Sequence, residues 1–510
     1  MGFKRRHKNR RQNQDHGIGY DDHFQNRTIS TCISDNIETA TSILGDSSDV
    51  QIKTFKLRAD QHLTASLIFI KGLVEQSSID TFTASLTVGS LAEKSLMIET
   101  LPISELDRID DWHKIIEAIL CGNVVLFIDD EDHAYLLEAN NDNFRSVQES
   151  TTEPVVRGPK EAFTETIQMN TAMVRRKIKD PNLRIQTKHI GRSTRTEVAI
   201  VHIHGIANEK IIQEVEERLD KIDIDGILES GNIEELIEDE TYSPFPTTFN
   251  SEKPDVIAAS LLEGKVAIFV DGTPFVLIVP ALFVQFFQSA EDYYQRWDIA
   301  TLLRLLRFFS FFISLLGPAF YIALTTFHHE MLPTNLLISL AAQREGIPFP
   351  AIFEAILMEV TLEILREAGI RLPVAIGQTI SIVGALVIGQ AAVEAGFVSP
   401  AMVIVVAITA ISNFIIPSYN LAISIRILRF FFMLFAATFG LYGIALGLFA
   451  LSLHLCSLRS FGIPYMSPLA PYNSQDQKDT LLRLPYQFLF TRPKLISQNN
   501  NVRQKSKSSK

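Results

Sequence analysis

The chain reads as a water-soluble α/β region, with two duplicated α/β subdomains as one reading of it, followed by an α-helical multi-pass membrane domain. Three observations predict this. Of 47 Lys+Arg and 58 Asp+Glu, 17 and 10 respectively fall from Arg296 onward, so an acidic half precedes a basic, apolar one. Apolar runs near the ~20 residues that cross a bilayer begin only around residue 303. Before that point, short apolar strands alternate with stretches of helical spacing.

Taken in order, residues 1–50 read as a disordered tail. Its "MGFKRRHKNRR" packs Lys4, Arg5, Arg6, Lys8, Arg10 and Arg11 together. Such a run either stays solvated or touches anionic headgroups at about 1 kcal/mol per charge. Gly2 signals no myristoylation, because Arg6 stands where Ser or Thr is needed. Subdomain 1 is assigned to 51–150, with "NVVLFID" as a strand, and 151–184 is a charged, helical connector. Subdomain 2 is assigned to 185–295, with "EVAIVHIHGI" as a strand and "NEKIIQEVEERLDKI" as an amphipathic helix. "LCGNVVLFID" (120–129) and "LEGKVAIFVD" (262–271) match in Leu, Gly, Val, Phe and Asp at a constant offset of 142. Duplication of one unit and chance likeness of two buried strands both account for that match.

The junction "SAEDYYQRWDIATLLRLLRFF" passes from acid to Tyr293, Tyr294 and Trp297, then to Arg296, Arg304 and Arg307. Aromatic residues and arginines at the mouth of an apolar helix suit a membrane interface, and the arginines place that mouth on the cytoplasmic side. The membrane domain, 296–457, is given spans at about 304–327, 373–395, 399–424 and 429–457. A further segment, 347–368, opens with two prolines and carries Glu354, Glu359, Glu363 and Glu367. The last three lie at i, i+4 and i+8, one helical stripe. A carboxylate at the bilayer centre costs ~2.5–3.5 kcal/mol or more, so this stripe must face water, headgroups or protein. The segment is therefore read as re-entrant or interfacial, with salt bridges to Arg366 or Arg371 as the alternative to a role in ion passage. That leaves both termini inside, and 458–510 as a polar, basic tail.

Four further features concern the membrane part. Gly377, Ser381, Gly384, Ala391 and Ala395 repeat nearly on one helix face, a seam on which another helix can pack closely. Gln378 and Gln390 lie on different faces, so each needs its own partner. Glu394 sits near a helix end, where it either snorkels or joins the ion path. Pro417 is expected to break its helix by removing a backbone donor.

Little here points to chemistry. Cys32, Cys121 and Cys456 are widely spaced and odd in number, which suggests neither a disulfide framework nor a zinc site. His202 and His204 share a strand face but lack a third ligand, and "IDDEDH" lacks the spacing of a calcium loop. No phosphate loop or nucleophile elbow is present. No enzyme activity, metal, cofactor or nucleic-acid partner is expected.

Several long blocks, in order, carry a resemblance: "RGPKEAFTETIQMNTAMVRRKI", "SPFPTTFNSEKPDVIAASLLEGKVAIFVDGTPFVLIVPALF", "SAEDYYQRWD", "GIPFPAIFEAILMEVTLEILREAGIRLP" and "IGQTISIVGALVIGQAAVEAGFVSPAMVIVVAITAISNF". From about residue 51 to 470 the chain resembles the A-subunit family of bacterial spore germinant receptors (GerA type), including its homologue encoded with the spore dipicolinate channel genes. The resemblance implies the spore inner membrane, a transporter-like B subunit, a lipoprotein C subunit, and assembly into a homo-oligomeric ring that releases ions when nutrient binds. Within it, Glu354, Glu359, Glu363 and Glu394 are the candidate ion-path or gating residues. A secondary-transporter subunit and a non-conducting scaffold are the competing functions.

Overall fold

The computed structural model describes residues 28–57, 63–88, 107–139, 150, 152–371, 389–497 and 500–504. Its α/β region holds two five-stranded antiparallel sheets. The first comprises β1 (Val50–Lys56), β2 (Thr64–Ile70), β3 (Asp107–Ile109), β4 (Val124–Ile128) and β5 (Ala134–Leu137). The second comprises β6 (Leu183–Ile190), β7 (Thr196–Ile203), β8 (Phe249–Ser251), β9 (Val266–Val270) and β10 (Val276–Val279). Their strand orders, β1-β2-β4-β5-β3 and β6-β7-β9-β10-β8, are the same topology twice.

Each central strand is buried on both faces, which explains its unbroken apolar run. Along β4, Val125 and Phe127 face one core, and Val124, Leu126 and Ile128 face another. β9 divides alike, with Ala267 and Phe269 on one side and Val266, Ile268 and Val270 on the other. Helices Ile33–Leu44 and Ile167–Lys177 occupy matching places. Asp129 Oδ1 accepts from Ile33 N at 3.2 Å, and Asp271 Oδ1 from Ile167 N at 3.1 Å. Inside each helix a buried asparagine ties down the preceding turn: Asn36 Nδ2 donates to Ser30 O and Asn170 Nδ2 to Thr164 O, both at 2.6 Å. The Asp that ends each matched sequence block is thus the residue that starts a helix.

The first of these helices lies inside the segment expected to be disordered. Residues 28–50 are structured because Ile33, Ala40, Ile43 and Leu44 bury against the first sheet. The expectation for the basic run falls outside the described residues. The two units are docked by a buried ion pair: Arg175 Nε and Nη2 each donate to Asp49 carboxylate oxygens at 3.0 Å.

Past the junction the chain is helical. Among the described residues, two helices are long and apolar enough to cross a membrane, Trp297–Thr326 and Tyr419–Ser457, and Pro400–Phe414 is a shorter apolar helix. Tyr419–Ser457, at 39 residues, would be about 58 Å long if straight. It is not straight. Gly440 takes φ 59° and ψ −139°. A Cβ on Gly447 would lie 2.8 Å from the Phe432 ring, although the two are 15 residues apart. The helix is therefore a hairpin of two antiparallel arms, 419–439 and 441–457. Its tip packs on Phe327 and His328, at the end of the first membrane helix. Its open end faces the α/β region, where Ser424 Oγ donates to Pro244 O and Ser243 Oγ meets His454 Nε2.

The expected boundary between spans 399–424 and 429–457 falls elsewhere. The chain leaves helix after Phe414 and re-enters at Tyr419, capped by Ser418, with Pro417 in the gap. Segment 347–368 forms part of a continuous 21-residue helix, Ala351–Arg371. Most of the expected 373–395 span lies outside the described residues; Gly389–Glu394 is helical. The C-terminal segment folds back: Tyr465 is fully buried and its carbonyl accepts from Phe283 N at 2.9 Å.

Candidate functional site: charged rungs inside the helical bundle

Helix Ala351–Arg371 carries acids that an apolar bundle must neutralise, and the structure shows what neutralises them. They form three rungs along the bundle. Furthest from the α/β region, Glu354 is fully buried; its Oε2 accepts from Ser399 N at 2.9 Å, and its Oε1 lies 3.4 Å from Arg344 Nη2. Tyr321 OH meets Ser399 Oγ at 3.1 Å, which ties the first membrane helix to this rung.

The middle rung is the most enclosed. Arg429 Nη1 donates to Glu359 Oε2 at 2.6 Å, with both side chains at most 2% exposed. The same guanidinium donates to Ser314 O at 2.7 Å and Ser314 Oγ at 2.9 Å. Ser314 Oγ in turn donates to Asn413 Oδ1 at 3.2 Å. Four helices thus meet at one arginine. Glu359 Oε1 is buried and accepts no hydrogen bond among the described residues.

In the rung nearest the α/β region, Glu363 receives Arg426 at 2.9 Å and Arg366 at 2.8 Å. Arg366 also stacks over Phe414, 5.4 Å from the ring centre. Glu367 pairs with Arg371 on an exposed face, outside the rungs. The stripe therefore turns toward protein. Chemically, each rung pairs an acid with arginine, and where the acid is buried, as for Glu354 and Glu359, changing one partner is felt strongly.

The remaining sequence candidates lie apart. Glu394 is exposed and accepts from Gln390 Nε2 at 2.8 Å. Ala391 and Ala395 are exposed, and Gly377, Ser381 and Gly384 lie outside the described residues. Pro417 marks the break between two helices and touches no rung. His202 is buried and His204 exposed, so the pair shares no site. Burial pushes His202 down to about 4.

The expected spans 399–424 and 429–457 would leave Arg426 between two helices and Arg429 at the start of the second. They lie inside a helix, at i and i+3, facing Glu363 and Glu359. Two arginines in an apolar run need acids just as the acids need them, and that reciprocal demand was the available signal. The mouth arginines also differ from expectation. Arg304 and Arg307 do not face headgroups; Arg304 Nε donates to Asp292 Oδ2 at 2.9 Å and Arg307 Nη1 to the same oxygen at 2.8 Å. Asp292 is fully buried, so it sets the direction of both.

Comparison with known proteins places this architecture. Residues 38–495 match the family model described as Bacillus/Clostridium GerA spore germination protein. Spore germination protein KA of Bacillus subtilis (strain 168) is 51% identical over 482 residues, covering 93% of this chain and 89% of that protein. Spore germination protein GerLA of Bacillus cereus is 42% identical over 471 residues, covering 91% of this chain and 96% of its own. Among solved structures, the N-terminal domain of the A subunit of the Bacillus megaterium spore germinant receptor GerK3 aligns with 37% identity and a TM-score of 0.39, over 51% of this chain and 99% of that one. This chain belongs to the GerA spore germination protein family.

Proposed function

We propose that the protein is the A subunit of a nutrient germinant receptor in the spore inner membrane and converts nutrient binding into ion release. It acts without enzymatic chemistry, as a homo-oligomeric channel partnered by a transporter-like B subunit and a lipoprotein C subunit. The α/β region and the C-terminal segment lie on the cytoplasmic side. The chain crosses the membrane an even number of times, because the first membrane helix begins and the last one ends at the α/β face. The observation that carries the reading is the set of charged rungs, two of whose acids, Glu354 and Glu359, are buried. A non-conducting anchor has no need for Glu354, Glu359 and Glu363 inside its bundle, where ionisable groups are functional by default. Glu359, with one oxygen free of hydrogen bonds, is the central gating residue of this reading.

The test uses spores that carry the full-length protein at its own locus. Deletion should abolish one nutrient response and leave peptidoglycan-triggered germination intact. Glu359→Gln and Glu363→Gln should alter ion release at unchanged protein level. Spores lacking the protein that keep every nutrient response, with no paralogue to account for it, would refute the receptor reading. Unchanged ion release in both variants would favour the scaffold.

A further inference from the structure

The C-terminal segment is joined to three parts of the molecule. On the second α/β unit, Ser460 Oγ donates to Thr247 O at 2.7 Å and accepts from Ala281 N at 2.9 Å. Ser497 Oγ donates to Ile206 O at 3.0 Å, Arg492 Nε to Leu262 O at 2.7 Å, and Arg503 pairs with Glu263 at 3.0 Å. On the junction, the carbonyl of Asp479 accepts from Gln288 Nε2 at 2.7 Å, and its Oδ2 from Tyr293 OH at 2.7 Å. On the first membrane helix, Asp479 Oδ1 accepts from Arg304 Nη1 at 2.7 Å. The Arg483 backbone and Thr301 Oγ1 exchange contacts of 3.1 and 3.2 Å.

Arg304 is the hub of this arrangement. It is fully buried and is gripped between Asp292, which precedes its helix, and Asp479, which comes from the other end of the membrane domain. Besides the contacts at the open end of the hairpin, the α/β region reaches the bundle through the junction and the returning segment, and these two routes close on one guanidinium. A tail serving only to solubilise the chain needs none of these buried pairs.

We propose that residues 458–497 and 500–504 form a coupling strap, and that Asp479 is the positioning residue through which movement of the second α/β unit reaches the first membrane helix. The inference rests on the transducer reading given above. Tyr293 OH and Arg304 bring the junction and the helix to the same carboxylate, so a shift of the strap along the sheet moves both. Loss of the Asp479 charge leaves Asp292 as the carboxylate paired with Arg304, keeps the guanidinium's bonds to the Asp479 and Thr480 carbonyls, and weakens the link without touching the rungs.

Spores carrying full-length Asp479→Asn, or Tyr293→Phe, are compared with parent and deletion spores using the standard L-amino acids and D-glucose as probes. Immunoblots report protein level in the spore membrane. Coupling free energies of the usual size predict that the half-maximal nutrient concentration rises by about five- to tenfold, with protein level unchanged. A third variant pairs Thr301→Cys with Arg483→Cys, and with Cys32→Ser, Cys121→Ser and Cys456→Ser. Its oxidised form should fail to respond and its reduced form should recover, a contrast that a merely structural role would not produce. Parent-like responses in both single variants, or in both redox states of the cysteine pair, overturn the strap. If Asp479→Asn lowers protein level, Tyr293→Phe and the redox contrast decide. Failure of the receptor reading is distinct: deletion spores would then respond like parent spores to every probe.

Discussion

Replacing Arg429 with methionine removes the charge at the middle rung while keeping much of the side chain's length. Glu359 then stays buried, at 2% side-chain exposure or less, without the one hydrogen-bond donor it has among the described residues. Ser314 loses two donors as well, to its carbonyl and its hydroxyl. Each ordinary hydrogen bond contributes about 0.5–1.5 kcal/mol, and an uncompensated buried charge raises the loss to about 3–5 kcal/mol in all. The paired change Glu359→Met with Arg429→Met removes both charges together, and such replacements come out near neutral or stabilising. The four proteins close a double-mutant cycle, so the coupling is measured rather than assumed. The assay is detergent-driven unfolding of the purified full-length protein in bicelles, followed by circular dichroism. The reasoning fails if Arg429→Met lies within about 1 kcal/mol of the parent, or if the double variant is as unstable as the single one.

Three further outcomes follow from other parts of the molecule. Asp129→Ala and Asp271→Ala should each destabilise by about 0.5–2 kcal/mol in thermal unfolding, because each removes the acceptor at a helix start, and unequal effects would show that the two units differ in cooperativity. Two groups give stability opposite slopes with pH. Burial raises Glu153 to about 7, so its stabilising contribution is present below about 4.5 and fades as pH rises through 7; burial holds His202 near 4, so its contribution is present above about 6.5 and fades as pH falls toward 4. In melting curves across that range, Glu153→Gln should remove the fall in stability between about pH 4.5 and 7, and His202→Leu the rise between about 4 and 6.5. Gly440→Ala should lower the amount of protein recovered in membranes, since a Cβ there meets His328 Cε1 at 2.7 Å in a left-handed backbone conformation that L-residues avoid. Parent-like recovery in the immunoblot would rule out a sharp turn there.

Much of the α/β fold was legible because buried strands have a plain signature. "NVVLFID" and "KVAIFVD" read as strands, and their shared ending announced a shared turn. Its use as a helix cap was not legible, because the capped residues, Ile33 and Ile167, lie about a hundred positions upstream. The membrane half was harder for a different reason. Hydropathy reports that a residue avoids water, but not which way the chain is travelling. Spans ending at 424 and beginning at 429 leave Arg426 between helices and Arg429 at a helix start; their acids, on a helix some 60–70 positions earlier, place both well inside one helix. The acidic stripe was legible in its spacing, with Arg366 and Arg371 as partners; Arg344, Arg426 and Arg429 needed the third dimension. The strap was the least visible element. Its grip depends on single polar atoms such as Asp479 Oδ1 and Ser460 Oγ, scattered through a segment of loop-like composition.

The turn at Gly440 gives the last 17 residues of that apolar stretch an unusual kind of dependence. Most substitutions shift a protein by degrees. Here one backbone angle sets a parity: folded, the chain comes home to the face it left, and the segment that follows finds Arg304. Straightened, the same residues would deliver Asp479 to the opposite face, with every hydropathy value unchanged.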